Sequence, residues 1–171
     1  MTTSIVDEIR QLELDSLSAQ KWAKDGKVEE WVHKYLLSGS GGKSNPEFSE
    51  GLKREKRWWN GPVELSLSDL SPAVGTEADL EYVVDKDRWF AWTNRLAMSF
   101  SNPTSLPPLI AEYRSGKLSI RDGNTRYGAM QLLGWFEFIH SVFCLSLDGE
   151  IIREVGLSIR CSCINFICDE F

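Results

Sequence analysis

With 171 residues, 42% hydrophobic and 26% charged, the chain has the length and composition of one soluble globular domain with a substantial core. A net charge of −6 argues against non-specific nucleic-acid binding, which needs a basic surface, and no run approaches the roughly eighteen apolar residues that span a bilayer. The opening MTTSIVDEIRQ lacks the basic start and apolar middle of a signal peptide, so the expected location is cytoplasmic and no membrane partner is expected.

Residues 5–17 carry Ile5, Ile9, Leu12 and Leu17 at helical intervals, with acids between them, and predict an amphipathic helix. A second helix is expected over 20–37, with Trp22, Val28, Trp31, Val32, Tyr35 and Leu36 as its apolar set and a possible break at Asp25-Gly26. His33 on this helix reads as a packing or surface histidine. The segment SGSGGKS at 38–44 reads as a glycine-serine linker. It does not match a phosphate-binding P-loop, because Gly39, Gly42, Lys43 and Ser44 fail the required spacing and a helix rather than a strand precedes them. Asn45-Pro46-Glu47 opens a third helix, expected to run to Trp59, with Pro46 at its first position. Two adjacent indoles cannot both face one way on that helix, so one of Trp58 and Trp59 should cover the core and the other rim a pocket or partner surface. The basic cluster Lys53, Arg54, Lys56 and Arg57 reads as a solvated helix face.

Next, VELSL at 63–67 alternates as a strand should, and Asp69 to Pro72 turn away from it. Residues 73–84 have little pattern and read as a loop able to fold over a site. Residues 85–100 predict a strong helix with Trp89, Trp92, Thr93, Leu96 and Phe100 on one side. The stretch LPPLIAEYRSGKLSIRDGNTRYGAMQLLGW, 106–135, then reads as a strand at 109–113, a turn at Ser115-Gly116 and a second strand at 117–120. A polar loop, 121–126, leads to a helix at 127–133 with Met130, Leu132 and Leu133 inward, and Gly134 stops it. A further strand is expected within 136–147, a hairpin at Asp148-Gly149 and a returning strand at 150–155.

The loop has a physical meaning of its own. Gly123 permits a positive φ or a close backbone approach, and Asn124 or Thr125 can cap the helix behind it. A helix start exposes unpaired N–H groups and partial positive charge, where anions settle. Arg126 carries the wrong charge for a first turn unless an anion sits there too.

Residues 106–135 resemble the core of the ParB/sulfiredoxin-like superfamily, with its Pro-Pro strand, second strand and Gly-x-x-Arg loop entering a helix. The resemblance implies an α+β fold, a small mixed sheet packed with helices. On this reading 1–60 form an N-terminal helical region with the linker at 38–44, 61–147 the core, and 148–171 an atypical extension. It also implies that Gly123, Asn124, Thr125 and Arg126 hold nucleotide phosphates. Sulfiredoxins carry cysteine and histidine where Asn124 and Thr125 stand, so reduction of a sulfinic acid is not expected. Chromosome-partitioning ParB proteins place an acid and a second arginine there and continue into a helix-turn-helix DNA reader, for which the chain is too short. The superfamily's free serine kinases resemble Asp122-Gly123 and Arg126 but usually carry histidine at the place of Thr125.

Two functions follow as expectations. In one, a nucleotide di- or triphosphate with magnesium binds the loop and a phosphoryl group is transferred or hydrolysed, with Asp122 as magnesium ligand or base and Glu112 or Glu81 as a second acid. In the other, a non-catalytic module keeps the fold and binds a nucleotide or other anionic small molecule. No metal site is expected of Cys144, Cys161, Cys163 and Cys168, whose spacing does not suit zinc. The apolar, cysteine-rich end is a candidate surface for a protein partner.

Overall fold

The computed structural model describes residues 14–39, 43–100, 106–114, 116–135 and 139–147. Most of the helix expected at 5–17, the hairpin and strand expected over 148–155, the extension to residue 171 and Cys161, Cys163 and Cys168 lie outside them. The fold is α+β, built on a five-stranded mixed sheet.

Asp15 starts helix α1, Ser16–Lys24, by accepting a 2.8 Å hydrogen bond from the Ser18 N–H. The run expected as one helix divides at Asp25-Gly26, and α2 follows as Val28–Ser38, burying Trp31, Val32, Tyr35 and Leu36 along one stripe. The Asn45 side chain caps α3, Pro46–Lys53, through the Phe48 N–H at 3.1 Å.

Helix α3 stops well short of Trp59, because Trp58–Ser66 form strand β1. Pairing with another strand decides this, since aromatic residues favour a pleated surface; a bulge between Asn60 and Val63 puts Trp59 on the opposite face from Val63 and Leu65. Trp58 faces out, 46% exposed, while Trp59 packs with the N-terminal helices. The turn expected at 69–72 is instead a short strand, β2, Leu70–Pro72. Residues 73–84 hold a small parallel pair, β3 (Val74–Gly75) and β4 (Tyr82–Val83). Helix α4, Lys86–Ala97, is capped by Asp85 and turns Trp89, Trp92, Thr93 and Leu96 inward as expected. Strands β5 (Leu109–Arg114) and β6 (Lys117–Asp122), helix α5 (Asn124–Leu132) and strand β7 (Ile139–Ser146) complete the order.

The sheet runs β1-β7-β5-β6-β2. β1 is antiparallel to β7, β7 parallel to β5, β5 antiparallel to β6, and β6 parallel to β2. Among the described strands of this sheet, prolines (Pro62 and Pro72) fall on the edge strands β1 and β2, where a missing N–H is tolerated.

Alternation along β5 and β7 divides the core between the faces of the sheet. Leu109, Ala111, Val142 and Cys144 join Leu65, Ile120, Tyr127 and Met130 on one face. Ile110, Phe143 and Leu145 join Trp31, Val32, Tyr35 and Leu36 on the other. The N-terminal helices therefore share a core with the sheet. Each fully buried large apolar side chain here, Trp31 and Phe143 among them, contributes about 1.5–3 kcal/mol.

Candidate functional site

The polar loop expected over 121–126 is almost entirely absorbed into regular structure. Strand β6 continues through Asp122 and α5 begins at Asn124, so Gly123 alone makes the turn, at φ 96°. A Cβ at this position would collide with the Leu109 side chain and lie 2.7 Å from Nη2 of Arg126, so glycine meets both the backbone and the space requirement. The buried side of the helix also differs from the expected one: Tyr127, Ala129 and Met130 are buried, whereas Leu132 and Leu133, expected inward, are exposed. No side chain caps α5, because Asn124 and Thr125 lie inside the helix.

The side chain of Arg126 is 5% exposed and directed back into the protein. Its Nη1 donates to the carbonyls of Pro107 at 2.6 Å and Pro108 at 3.3 Å, and its Nη2 to Asp122 Oδ2 at 2.9 Å. The anion that justifies an arginine in this first turn is thus Asp122, four residues earlier in the same chain. Tyr35 closes the group. Its hydroxyl donates to the same Asp122 oxygen at 3.2 Å, its ring lies 5.4 Å from the guanidinium, and it stacks on Trp31. Burial raises the pKa of this phenol; Arg126 opposes the rise, and the charge and hydrogen bond of Asp122 reinforce it. Tyr35 therefore remains a donor and ties the N-terminal helices to the start of α5.

Asn124 is also engaged. Its Oδ1 accepts from the Ala73 and Val74 N–H groups at 2.9 and 3.1 Å, and its Nδ2 donates to the Ile120 carbonyl at 3.1 Å. It fastens the start of segment 73–84 to the β6–α5 junction. The acids Glu112 and Glu81 both pair with Arg121. Nε bonds Glu112 at 2.9 Å, Nη1 bonds both oxygens of Glu81 at 2.8 Å, and Arg57 reaches Glu112 at 3.4 Å. Neither acid stands free as a second catalytic carboxylate.

A cleft of about 700 Å³ opens at this junction. Residues 121–126 form one wall; Lys43, Ser44, Asn45, Pro46 and Glu47, from the end of the expected linker and the start of α3, form the other. Two helix starts thus border one space, with the α5 amides free of any side-chain cap. Thr125 faces this cleft, half-buried. Lys43 is exposed and has no ion-pair partner among the described residues, unlike Arg121 and Arg126. The linker's far end is pinned as well, because the Asn45 N–H donates to the Leu36 carbonyl at 2.7 Å. The local composition, glycines followed by Lys-Ser and a proline-opened helix, was the one sequence signal for this second wall.

The remaining candidates lie elsewhere. His33 bonds Ser49 at 2.8 Å through Nδ1, and burial lowers its pKa, helped by the nearby Lys53 charge and opposed by Glu29 and Glu50. Cys144 is buried in β7, with its thiol pushed up to about 12 by desolvation. Among the described residues no three or more His, Cys, Asp and Glu side chains cluster as a metal site, and no helix is long and apolar enough to cross a membrane. No family model, curated protein or solved structure matches the chain.

Proposed function

We propose that the protein is a ligand-binding module that holds the phosphate of a nucleotide, or a similar small anion, in the cleft between the starts of α3 and α5. The observation that carries this reading is the uncapped start of α5 beside Lys43, which has no ion-pair partner among the described residues, around one open space; the α3 start on the other wall is already capped by Asn45. Backbone amides of Asn124 and Thr125 grip the anion, and Lys43 neutralises it. Gly123 makes the tight turn that places these amides at the cleft. Asn124 and Arg126 act one step back: they shape the wall through their protein contacts and leave the ligand to the backbone. The likeness of residues 106–135 to the ParB/sulfiredoxin-like superfamily, whose corresponding loop holds nucleotide phosphates, points the same way.

Binding without turnover suits the acids better than phosphoryl transfer does. Asp122 is shared by Arg126 and Tyr35, and Glu81 and Glu112 are held by Arg121. One observation favours the catalytic alternative: Asp122 lines the cleft and both its contacts use Oδ2, which leaves Oδ1 without a protein partner among the described residues. On that alternative, magnesium arrives with the ligand's phosphates and Asp122 meets it. Calorimetric titration with ATP, ADP and CTP, with and without magnesium, tests the reading, and phosphorus NMR of the same mixtures detects turnover. Saturable heat with intact nucleotide is the expected result. Absence of binding to all of them, and to inorganic phosphate, refutes it.

A further inference from the structure

The two acidic partners of Arg121 differ in their surroundings. Glu112 is enclosed, with its side chain 14% exposed, and is gripped a second time by Arg57. Glu81 is 50% exposed and belongs to segment 73–84, which crosses beside the cleft and is fastened at its other end by Asn124. Arg121 itself lines the cleft, and neither acid contacts its Nη2. An exposed ion pair is weak and exchanges readily for another anion, whereas the enclosed Arg121–Glu112–Arg57 group is not easily opened.

We propose that the Arg121–Glu81 pair is a latch: Glu81 occupies the cleft's second cation in the empty protein, and an entering anion takes Arg121 from it and frees the Glu81 side chain, while the backbone bonds of Tyr82 to Ala73 and of Val84 to Gly75 keep segment 73–84 folded. This rests on the anion-binding reading above and adds to it a built-in competitor. Arg121 stays anchored through Nε to Glu112, so only its Nη1 edge changes partner and no large rearrangement of β6 is required.

The test uses the full chain and inorganic phosphate, followed through backbone amide shifts by NMR. Glu81→Gln removes the competitor while keeping the side chain's shape. It is expected to tighten phosphate binding about two- to five-fold, the range set by release of one exposed ion pair. Asp79→Asn makes the same charge change two residues away, on an exposed side chain with no ion pair among the described residues. It is expected to leave the affinity unchanged. Equal gains from both substitutions would show a general field effect and overturn the latch, as would phosphate binding that Glu81→Gln leaves unaltered. If phosphate moves no amide at the α5 start in any of the three proteins, the binding reading itself falls, and the latch with it.

Discussion

Replacing Arg126 by methionine separates a structural arginine from a ligand-binding one. The substitution keeps most of the apolar stem but removes two bonds to proline carbonyls and one to Asp122 from a side chain that is 5% exposed. Breaking a buried pair by removing one partner costs about 3–5 kcal/mol, because the other charge is left behind. Asp122 is 22% exposed and keeps the Tyr35 hydroxyl, so water and that bond compensate in part and the lower end, about 3 kcal/mol, applies. In a chain of 171 residues this lowers Tm by about 6–12 °C. Urea and thermal unfolding followed by circular dichroism measure it directly. Adding Asp122→Asn should recover part of the loss, with a coupling of about 1–2 kcal/mol between the two sites. A loss below about 1 kcal/mol, together with a ten-fold or greater fall in phosphate affinity, would refute the reasoning and return Arg126 to the ligand.

Asn124→Ala leaves the Ala73 and Val74 N–H groups without their acceptor and should cost about 1–3 kcal/mol, with faster hydrogen exchange at those two amides as its signature. Gly128→Ala places a Cβ 2.9 Å from both Thr93 and Trp89 and should destabilise the α4–α5 contact by about 1–3 kcal/mol in urea unfolding. At Gly51, on α3, an added Cβ meets nothing within 4 Å, so Gly51→Ala should instead stabilise by up to about 1 kcal/mol. His33 titrates below the ordinary histidine value in the folded state, so between the two values the unfolded chain binds more protons. Its contribution to stability is therefore present above pH about 6.5 and lost as pH falls through the folded value, which an NMR titration of His33 paired with stability curves across that window checks.

What the sequence disclosed, and what it hid, follows from the range of the interactions. The β5–β6–α5 succession was legible because alternation in 109–120 and the lone Gly123 are local signals. The loop's length was not legible, since Asp122 and Arg126 satisfy one another across the junction and let strand and helix meet at a single residue. The mismatch of an arginine in a first turn pointed to an anion at the helix start, and the anion that Arg126 meets belongs to the chain itself. That the anion is Asp122, with the Pro107 and Pro108 carbonyls beside it, required the fold. Trp58 and Trp59 read as helix because nothing nearby contradicts it; pairing of β1 with β7, distant in the chain, overrides that preference. Lys43 and Ser44 read as linker for the same reason, because their place opposite the α5 start is set by long-range packing of α2 and α3.

The central claim is that the uncapped start of α5 and Lys43 across the cleft form one anion seat, and a phosphate titration of the isotope-labelled chain beside its Lys43→Gln variant tests it most directly. The account predicts saturable shifts of the Asn124 and Thr125 amides, about three- to ten-fold weaker binding in the variant, and unchanged Tm without phosphate. Shifts confined to other parts of the chain, or an affinity indifferent to residue 43, would contradict it.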